Sequence, residues 1–373
     1  MPFEHLLADL KSIVFREQDA ADVLPVMDGP WTPNRGLDVA RTLGPALPGC
    51  DDLAAGADGR AFVSADRAIW SMSTQDLATR SLYAECEHAV GALLAQGDTL
   101  YAALEDRGVV RLDAAARETA RLDRVAGRPL RCVTALAALP DGRLLIADGS
   151  ARHPASRWTH DLMEKGASGR IVLAAADLSQ ASVLADGLAW PAGLLADARG
   201  ECLWFSESWR HRVQCLDLAG ACTPVLRNLP GYPGRLGRDP AGGAWLAVFA
   251  ARTHLVELVL RERKYREEML ATIDPQFWIA PSLHASGHYL EPLQGGALKK
   301  LGVVKPWAPP RSYGLVARLS AELECSASLH SRAGGLHHGI TAARAIDARL
   351  VVVSKGSGRL LDAGAIASAA AKP

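Results

Sequence analysis

Asp51 and the adjacent pair His337-His338 are the residues of this chain whose types best suit proton transfer. A carboxylate within reach of an imidazole fixes its tautomer and raises its pKa toward neutrality, making the ring a general base at ordinary pH. Asp51 with His338 is therefore the candidate catalytic couple. His88, Arg131, Thr134, Trp190, Tyr232, Arg235, His337 and Thr341, at or beside the starts of apolar strands, are the candidate substrate contacts. Trp190 and Tyr232 offer flat faces to a ring-shaped ligand, although aromatics that flank a strand start also serve as packing between sheets. An Asp or His at a strand end can equally hydrogen-bond a loop. Asp148 in IADGS and Glu207 in FSES are read that way, as acids that satisfy loop amides. There is no GxSxG elbow, no P-loop, no GxGxxG after a strand and no HxxxH on a helix, so nucleophilic-serine, nucleotide and zinc-peptidase chemistries are not indicated.

The elements that must position these residues repeat along the chain. Residues 186–217 run as an apolar strand (193–196), a polar turn, a second apolar strand (202–206), a loop and an alternating strand (212–217), an antiparallel meander. Its turn-plus-strand unit recurs as ADGRAFVS (57–64), QGDTLYAA (96–103), PDGRLLIA (140–147), ARGECLWFS (198–206), AGGAWLAV (241–248) and DARLVVVS (347–354). Each copy is followed by an alternating strand, at 67–70, 108–113, 169–173, 212–217, 254–258 and 358–362. One meander cannot bury both its faces, and repetition every 40 to 60 residues, roughly four strands at a time, is the pattern of a propeller. The fold class is thus all-β, a six-bladed β-propeller, in a single domain spanning 1–373. A strand at 37–43 is expected to complete the sixth blade and close the ring.

Two segments depart from the repeat. One is the loop 148–169, the other an insert from about 260 to 311, expected to begin as a helix over 261–270 with Leu258, Tyr265, Met269 and Ile273 on its apolar side. Six prolines between 275 and 310 then argue against further regular structure. Loops of this length on a compact ring serve as lids or binding loops, or as surfaces for self-association, and both are placed over one mouth of the channel. Residues 1–27 form an extension in which Phe3, Leu6, Leu7, Leu10, Ile13 and Val14 fall at helical spacing, giving a short amphipathic helix.

Composition narrows the function classes. Lys plus Arg and Asp plus Glu number 41 each, so no net charge draws the chain to nucleic acid or to a membrane surface. No apolar run suffices for a membrane span or a secretory segment, and a cytoplasmic location is expected. The seven cysteines are odd in number and none forms a CxxC pair, which reads as free thiols in a reducing compartment.

Four strings carry a family resemblance: DGLAWPAGLL, LPGYPGRLGRDPAGGAWLAV (229–248), RSYGLVARL (311–319) and ITAARAIDARLVVVSKGSGRL. They resemble the strictosidine synthase-like branch of six-bladed propellers, relatives of gluconolactonase, regucalcin and the calcium-dependent phosphotriesterases. The resemblance runs from about 28 to 362. It implies a six-bladed fold and, in many members, a small-molecule hydrolase with one divalent ion at the centre; plant strictosidine synthases instead join an amine to an aldehyde without metal. The repeat aligns Asp51, Val90, Thr134, Ala192, Gly234 and Ile340 at one height on the innermost strands. In the metal-binding relatives the matching positions supply a Glu, two Asn and an Asp, for which this chain has Asp51, Thr134, Ala192 and Gly234. Calcium takes about six to eight oxygen ligands, and Asp51 is the only carboxylate retained. No cofactor is therefore expected and a calcium site is disfavoured. The synthase-type glutamate is missing too, Gly339-Ile340-Thr341 standing near its place.

These observations favour an ester or lactone hydrolase acting on a small organic molecule with its central metal site degenerate or absent. A non-catalytic propeller that binds a small molecule or a protein is the alternative, and amine–aldehyde condensation a distant third. The sequence sets neither substrate nor oligomeric state.

Overall fold

The structure is a computed structural model that describes residues 24–197, 200, 202–284, 299–300, 303–304 and 311–366. Among these, six four-stranded antiparallel sheets stand as the blades of a propeller. Their inner strands are Cys50–Ala55, Val90–Gln96, Val133–Ala138, Pro191–Ala196, Gly231–Arg238 and Ile340–Ile346, for blades 1 to 6. Each inner strand packs beside the next, and that of blade 6 beside that of blade 1, which closes the ring.

The alternation of apolar residues dictates this closure, because each blade buries one face against each neighbour. Every seam has its own apolar cluster: Leu53, Val63 and Val351 between blades 1 and 6, Phe62, Leu93 and Leu100 between 1 and 2, and Tyr101, Leu130 and Ile146 between 2 and 3. Leu145, Leu194 and Phe205 fill the seam between 3 and 4, Leu195, Val213 and Leu246 that between 4 and 5, and Trp245, Val316 and Val352 that between 5 and 6. Near the axis the strands come too close for side chains. A Cβ on Gly193 would lie 2.3 Å from the Gly234 carbonyl oxygen, and one on Gly237 2.1 Å from that of Ala343.

The ring is tied shut as expected, by Arg41–Thr42 pairing with Arg359–Ala365 as the outer strand of blade 6. Arg41 reinforces the seam through an ion pair with Asp362 at 2.9 Å. Asn34 adds a second clasp, its Oδ1 accepting the His330 amide and its Nδ2 donating to the Ser328 carbonyl.

Blade 5 departs from the expectation. Residues 254–258 are not a strand but part of helix α2 (His254–Arg261), and the third strand of the blade is Gly314–Leu319. The physical reason is local: Thr253 Oγ1 accepts the Val256 amide as an N-cap, and Val256, Val259 and Leu260 form a buried stripe at helical spacing. Glu262 breaks the helix, and α3 (Arg263–Thr272) follows. Of the apolar side expected there only Met269 is buried, while Leu258, Tyr265 and Ile273 face solvent.

The 148–169 loop contributes a short helix, α1 (Trp158–Met163). Leu162 and Met163 from it share one apolar cluster with Val256, Val259, Met269 and Trp278 from the insert, so the described parts of both departures cover the same mouth. The amphipathic helix expected within 1–27 and most of the proline-rich part of the insert lie outside the described residues. No helix among the described residues is long and apolar enough to cross a membrane. The cysteine expectation is corrected: Cys202, just before the second strand of blade 4, and Cys215, in its third, form a disulfide, and the other five are free thiols.

Candidate functional site

Each inner strand carries a register irregularity at its start. The irregularities fall between Cys50 and Leu53, Val90 and Leu93, Val133 and Ala135, Pro191 and Gly193, Pro233 and Leu236, and Ile340 and Ala342. A bulge inserts an unpaired residue and re-aims it. Here the bulges turn Asp51, Gly91, Thr134, Ala192, Gly234, Arg235 and Thr341 toward one cavity of about 400 Å³ at the capped mouth. The six-fold alignment read from the repeat thus holds for blades 1, 3, 4 and 5. It is one residue early in blades 2 and 6, where Gly91 and Thr341 replace Val90 and Ile340.

The cavity has an apolar wall and a charged floor. Trp158 from α1, Trp190, Phe249 and Leu283 supply the wall, and Asp51, Asp66, Glu105, Arg131, Arg235 and Lys355 the charges. Trp190 adopts the left-handed conformation (φ 58°), uncommon for a residue of this size, and stacks on Trp209 with centroids 5.0 Å apart. The Trp209 indole N–H in turn donates to Asp161 Oδ1 at 2.8 Å. Asp161 is buried at the base of α1 and so couples the cap to the wall.

Asp51 lies at the centre of the floor, but its partner is not a histidine. Lys355 Nζ is 3.0 Å from Oδ2, and Arg235 Nη1 is 3.0 Å from Oδ1. Burial alone would push this carboxyl up. The Lys355 ammonium and the Arg235 guanidinium outweigh it and hold the pKa down to about 2. A carboxylate so firmly ionised is a poor proton acceptor. The Asp51–His338 couple is therefore corrected: the His338 ring is absent from the cavity lining, its Nε2 donating to the Arg332 carbonyl at 2.9 Å and its Nδ1 accepting from Ser312 Oγ at 2.8 Å.

Three of the expected substrate contacts also lie elsewhere. His88 accepts from Arg107 Nε at 3.0 Å, and His337 is buried with Nδ1 3.1 Å from Ser357 Oγ. Tyr232 is fully buried behind the wall, stacked on Phe249. His88 and His337 stand before the first residues of their inner strands, whereas Tyr232 is the second residue of its strand and faces the packing behind the wall. Arg131, Thr134, Trp190, Arg235 and Thr341 do line the cavity. Asp148 and Glu207 satisfy loop amides as read, accepting from the Cys132 amide at 3.0 Å and the Ala189 amide at 2.7 Å.

Lys355, Asp66 and Glu105 were not singled out from the sequence, yet the repeat held a signal for them. Each directly follows the second strand of its blade, after Arg349–Ser354, Arg60–Ala65 and Thr99–Leu104. Asp148 and Glu207 stand one register position earlier, opposite the first residue of their inner strands, Val133 and Pro191. With a side-chain period of two, that single step separates a loop-binding acid from a cavity acid. Among the described residues neither Asp66 nor Glu105 has an ion-pair partner; Glu105 Oε1 accepts the Ser156 amide at 2.9 Å.

The metal-ligand positions do not fit a divalent ion. Ala192 and Gly234 offer no side-chain oxygen, and the Thr134 hydroxyl donates to the carbonyls of Pro191 (2.6 Å) and Ala147 (3.2 Å). Both Asp51 oxygens face cations of the chain itself. No group of three or more His, Cys, Asp or Glu suited to a metal occurs among the described residues.

The lowered Asp51 pKa has a measurable consequence. A carboxylate near 2 when folded and about 3.9 when unfolded contributes stability present above about pH 4 and lost as pH falls toward 2, on the order of 2 kcal/mol. Denaturant titrations of Asp51→Asn should show this acid-dependent part missing. A parent-like slope between about pH 4 and 2 would show that Asp51 is not held by its two cations.

No protein-family model matches the chain. Among curated proteins it is similar to the adipocyte plasma membrane-associated protein of Danio rerio, 26% identical over 249 residues, covering 61% of this chain and 60% of that one. The protein of the same name from Salmo salar is 26% identical over 176 residues, covering 45% of this chain and 42% of that one. The matches thus span less than two thirds of either relative. Among solved structures, a gluconolactonase from Xanthomonas campestris superposes with a TM-score of 0.57 at 14% identity, over 86% of this chain and 87% of that one. A calcium-binding regucalcin from Agrobacterium tumefaciens gives 0.52 at 14% identity, over 89% and 92%. At such identities the shared property is the propeller fold.

Proposed function

We propose that the cavity binds a small organic molecule and hydrolyses an ester or lactone bond within it. The observation that carries this reading is the Lys355 ammonium on the floor of an aromatic-walled cavity that also holds Asp66 and Glu105, two acids with no ion-pair partner among the described residues. The volume, about 400 Å³, is in the range of small-molecule sites, with apolar walls for the body of a ligand and a few convergent polar groups to orient it. Lys355 donates to the carbonyl oxygen and stabilises the oxyanion as water adds to the acyl carbon. Asp66 or Glu105 takes the proton from that water and returns it to the departing alkoxide, so the C–O bond breaks to give acid and alcohol. Asp51 fixes the ammonium in place and is itself fixed by Arg235.

A second reading, binding without catalysis, is favoured by one observation: the retained inherited acid, Asp51, is neutralised by the protein's own cations. A panel of aryl esters and lactones, assayed for turnover and for quenching of tryptophan fluorescence, separates the two. Turnover that saturates with the quenching supports hydrolysis. Quenching without turnover establishes the binding reading in its place.

A further inference from the structure

Arg235 leaves the inner strand of blade 5 at a bulge and runs across the channel axis. Its Nε donates to the Thr134 carbonyl at 2.9 Å, Nη1 to the carbonyls of Asp51 (3.0 Å) and Thr341 (3.3 Å), and Nη2 to that of Gly91 (3.1 Å). These four carbonyls belong to the bulges of blades 3, 1, 6 and 2. Two carboxylates complete the surround, Asp51 Oδ1 at 3.0 Å from Nη1 and Asp52 Oδ2 at 3.4 Å from Nε. A second arginine continues the stack: Arg344, from the inner strand of blade 6, donates to the carbonyls of Leu53 (3.1 Å) and Leu236 (3.0 Å) and to Asp52 Oδ1 (3.0 Å).

We infer that the Arg235 guanidinium is the resident central cation of this propeller, and that removing it uncovers an oxygen-lined cation site which a soluble guanidinium can enter. Backbone carbonyls and carboxylates converging from four blades are what a cation requires. A guanidinium meets them with a planar fork of five N–H donors and a charge that does not titrate in the protein range. The loss of metal-ligand side chains at Ala192 and Gly234 is then matched by a gain on the same bulge of blade 5, at Arg235 next to Gly234. The floor of the cavity keeps a fixed positive charge beneath Lys355 without any dissociable ion. This inference goes beyond the proposed hydrolysis and uses no substrate to test it.

The test compares thermal melting of the full chain, Arg235→Ala and Arg235→Lys, each alone, with methylguanidinium, with calcium and with sodium chloride of matched ionic strength. Cations are added at about 10 mM, enough to fill a site of millimolar dissociation constant. Arg235→Ala leaves four buried carbonyls without this donor and strips Asp51 and Asp52 of one of their two cations each, and should melt roughly 10 °C below the parent. Methylguanidinium should restore a saturable part of that loss and leave the parent unmoved. Arg235→Lys, with a point charge in place of the fork, should also melt below the parent. Arg235→Ala melting with the parent, or a rescue no better than sodium chloride, overturns the inference. Should Arg235→Ala not fold, the parent and Arg235→Lys decide it: one tightly bound calcium per parent chain in equilibrium dialysis, or parent-like melting of Arg235→Lys, overturns it equally.

Discussion

Lys355→Met should lower ester or lactone turnover by about a hundred- to a thousand-fold while the protein melts within a few degrees of the parent. Removing a single donor to a developing oxyanion typically has an effect of that size, because the donor acts most strongly where charge appears in the transition state. The side chain is 36% exposed, so its replacement opens no buried cavity. Asp51 loses one of two cations but keeps Arg235, which bounds the loss of stability. Lys355→Arg retains the charge and its contact with Asp51 while placing a wider group in the cavity, and should recover part of the rate. A loss in kcat with KM little changed marks a transition-state role. Turnover that survives Lys355→Met would remove the ammonium from the mechanism and leave the carboxylates without an electrophilic partner.

Arg170→Met should destabilise the fold by about 3–5 kcal/mol, the usual result of stripping one partner from a buried ion pair. Arg170 and Asp148 are both fully buried, 3.0 Å apart. The guanidinium also donates to the carbonyls of Val125, Arg128 and Pro129, clamping the 125–129 turn onto blade 3 next to the cavity residues Arg131 and Val133. Burial raises the Asp148 pKa even beside this partner, so the carboxylate without Arg170 is left badly solvated. Denaturant titration reads the loss directly. Arg170→Met combined with Asp148→Leu should recover much of it, since an apolar pair of similar volume removes the stranded charge. A single variant within about 1 kcal/mol of the parent would mean that water reaches the pair and that the clamp adds little.

The acid-stability slope of Asp51→Asn and the cation rescue of Arg235→Ala probe the same floor from its two ends. Asp51 is the group both depend on. If the slope vanishes in the first and the rescue appears in the second, the charges Lys355, Asp51 and Arg235 act as one stack.

The sequence by itself determined the six blades, because each blade solves the same packing problem and so repeats the same turn and the same alternation. It also located Asp51, Thr134, Ala192 and Gly234 at one level, since their distance from the turn is counted along a single strand. Asp148 and Glu207 were legible for the same reason, an acid at a strand end facing amides of its own blade. What lies between blades was decided only by the tertiary structure. Asp51 meets Arg235 and Lys355 across separations of 184 and 304 residues, which no local period encodes. The bulges supplied the rest: an extra residue in an inner strand reverses which side chain points at the axis. That reversal turned Arg235 from a candidate substrate contact into the cation of the channel and moved the alignment of blades 2 and 6 by one residue, while His338, before the strand of blade 6, is held by Ser312 and the Arg332 carbonyl instead of meeting Asp51. Helix α2 escaped the repeat because an insert is free of its period, so that the N-cap of Thr253 and the stripe of Val256, Val259 and Leu260 outweighed the alternation that had marked 254–258 as a strand.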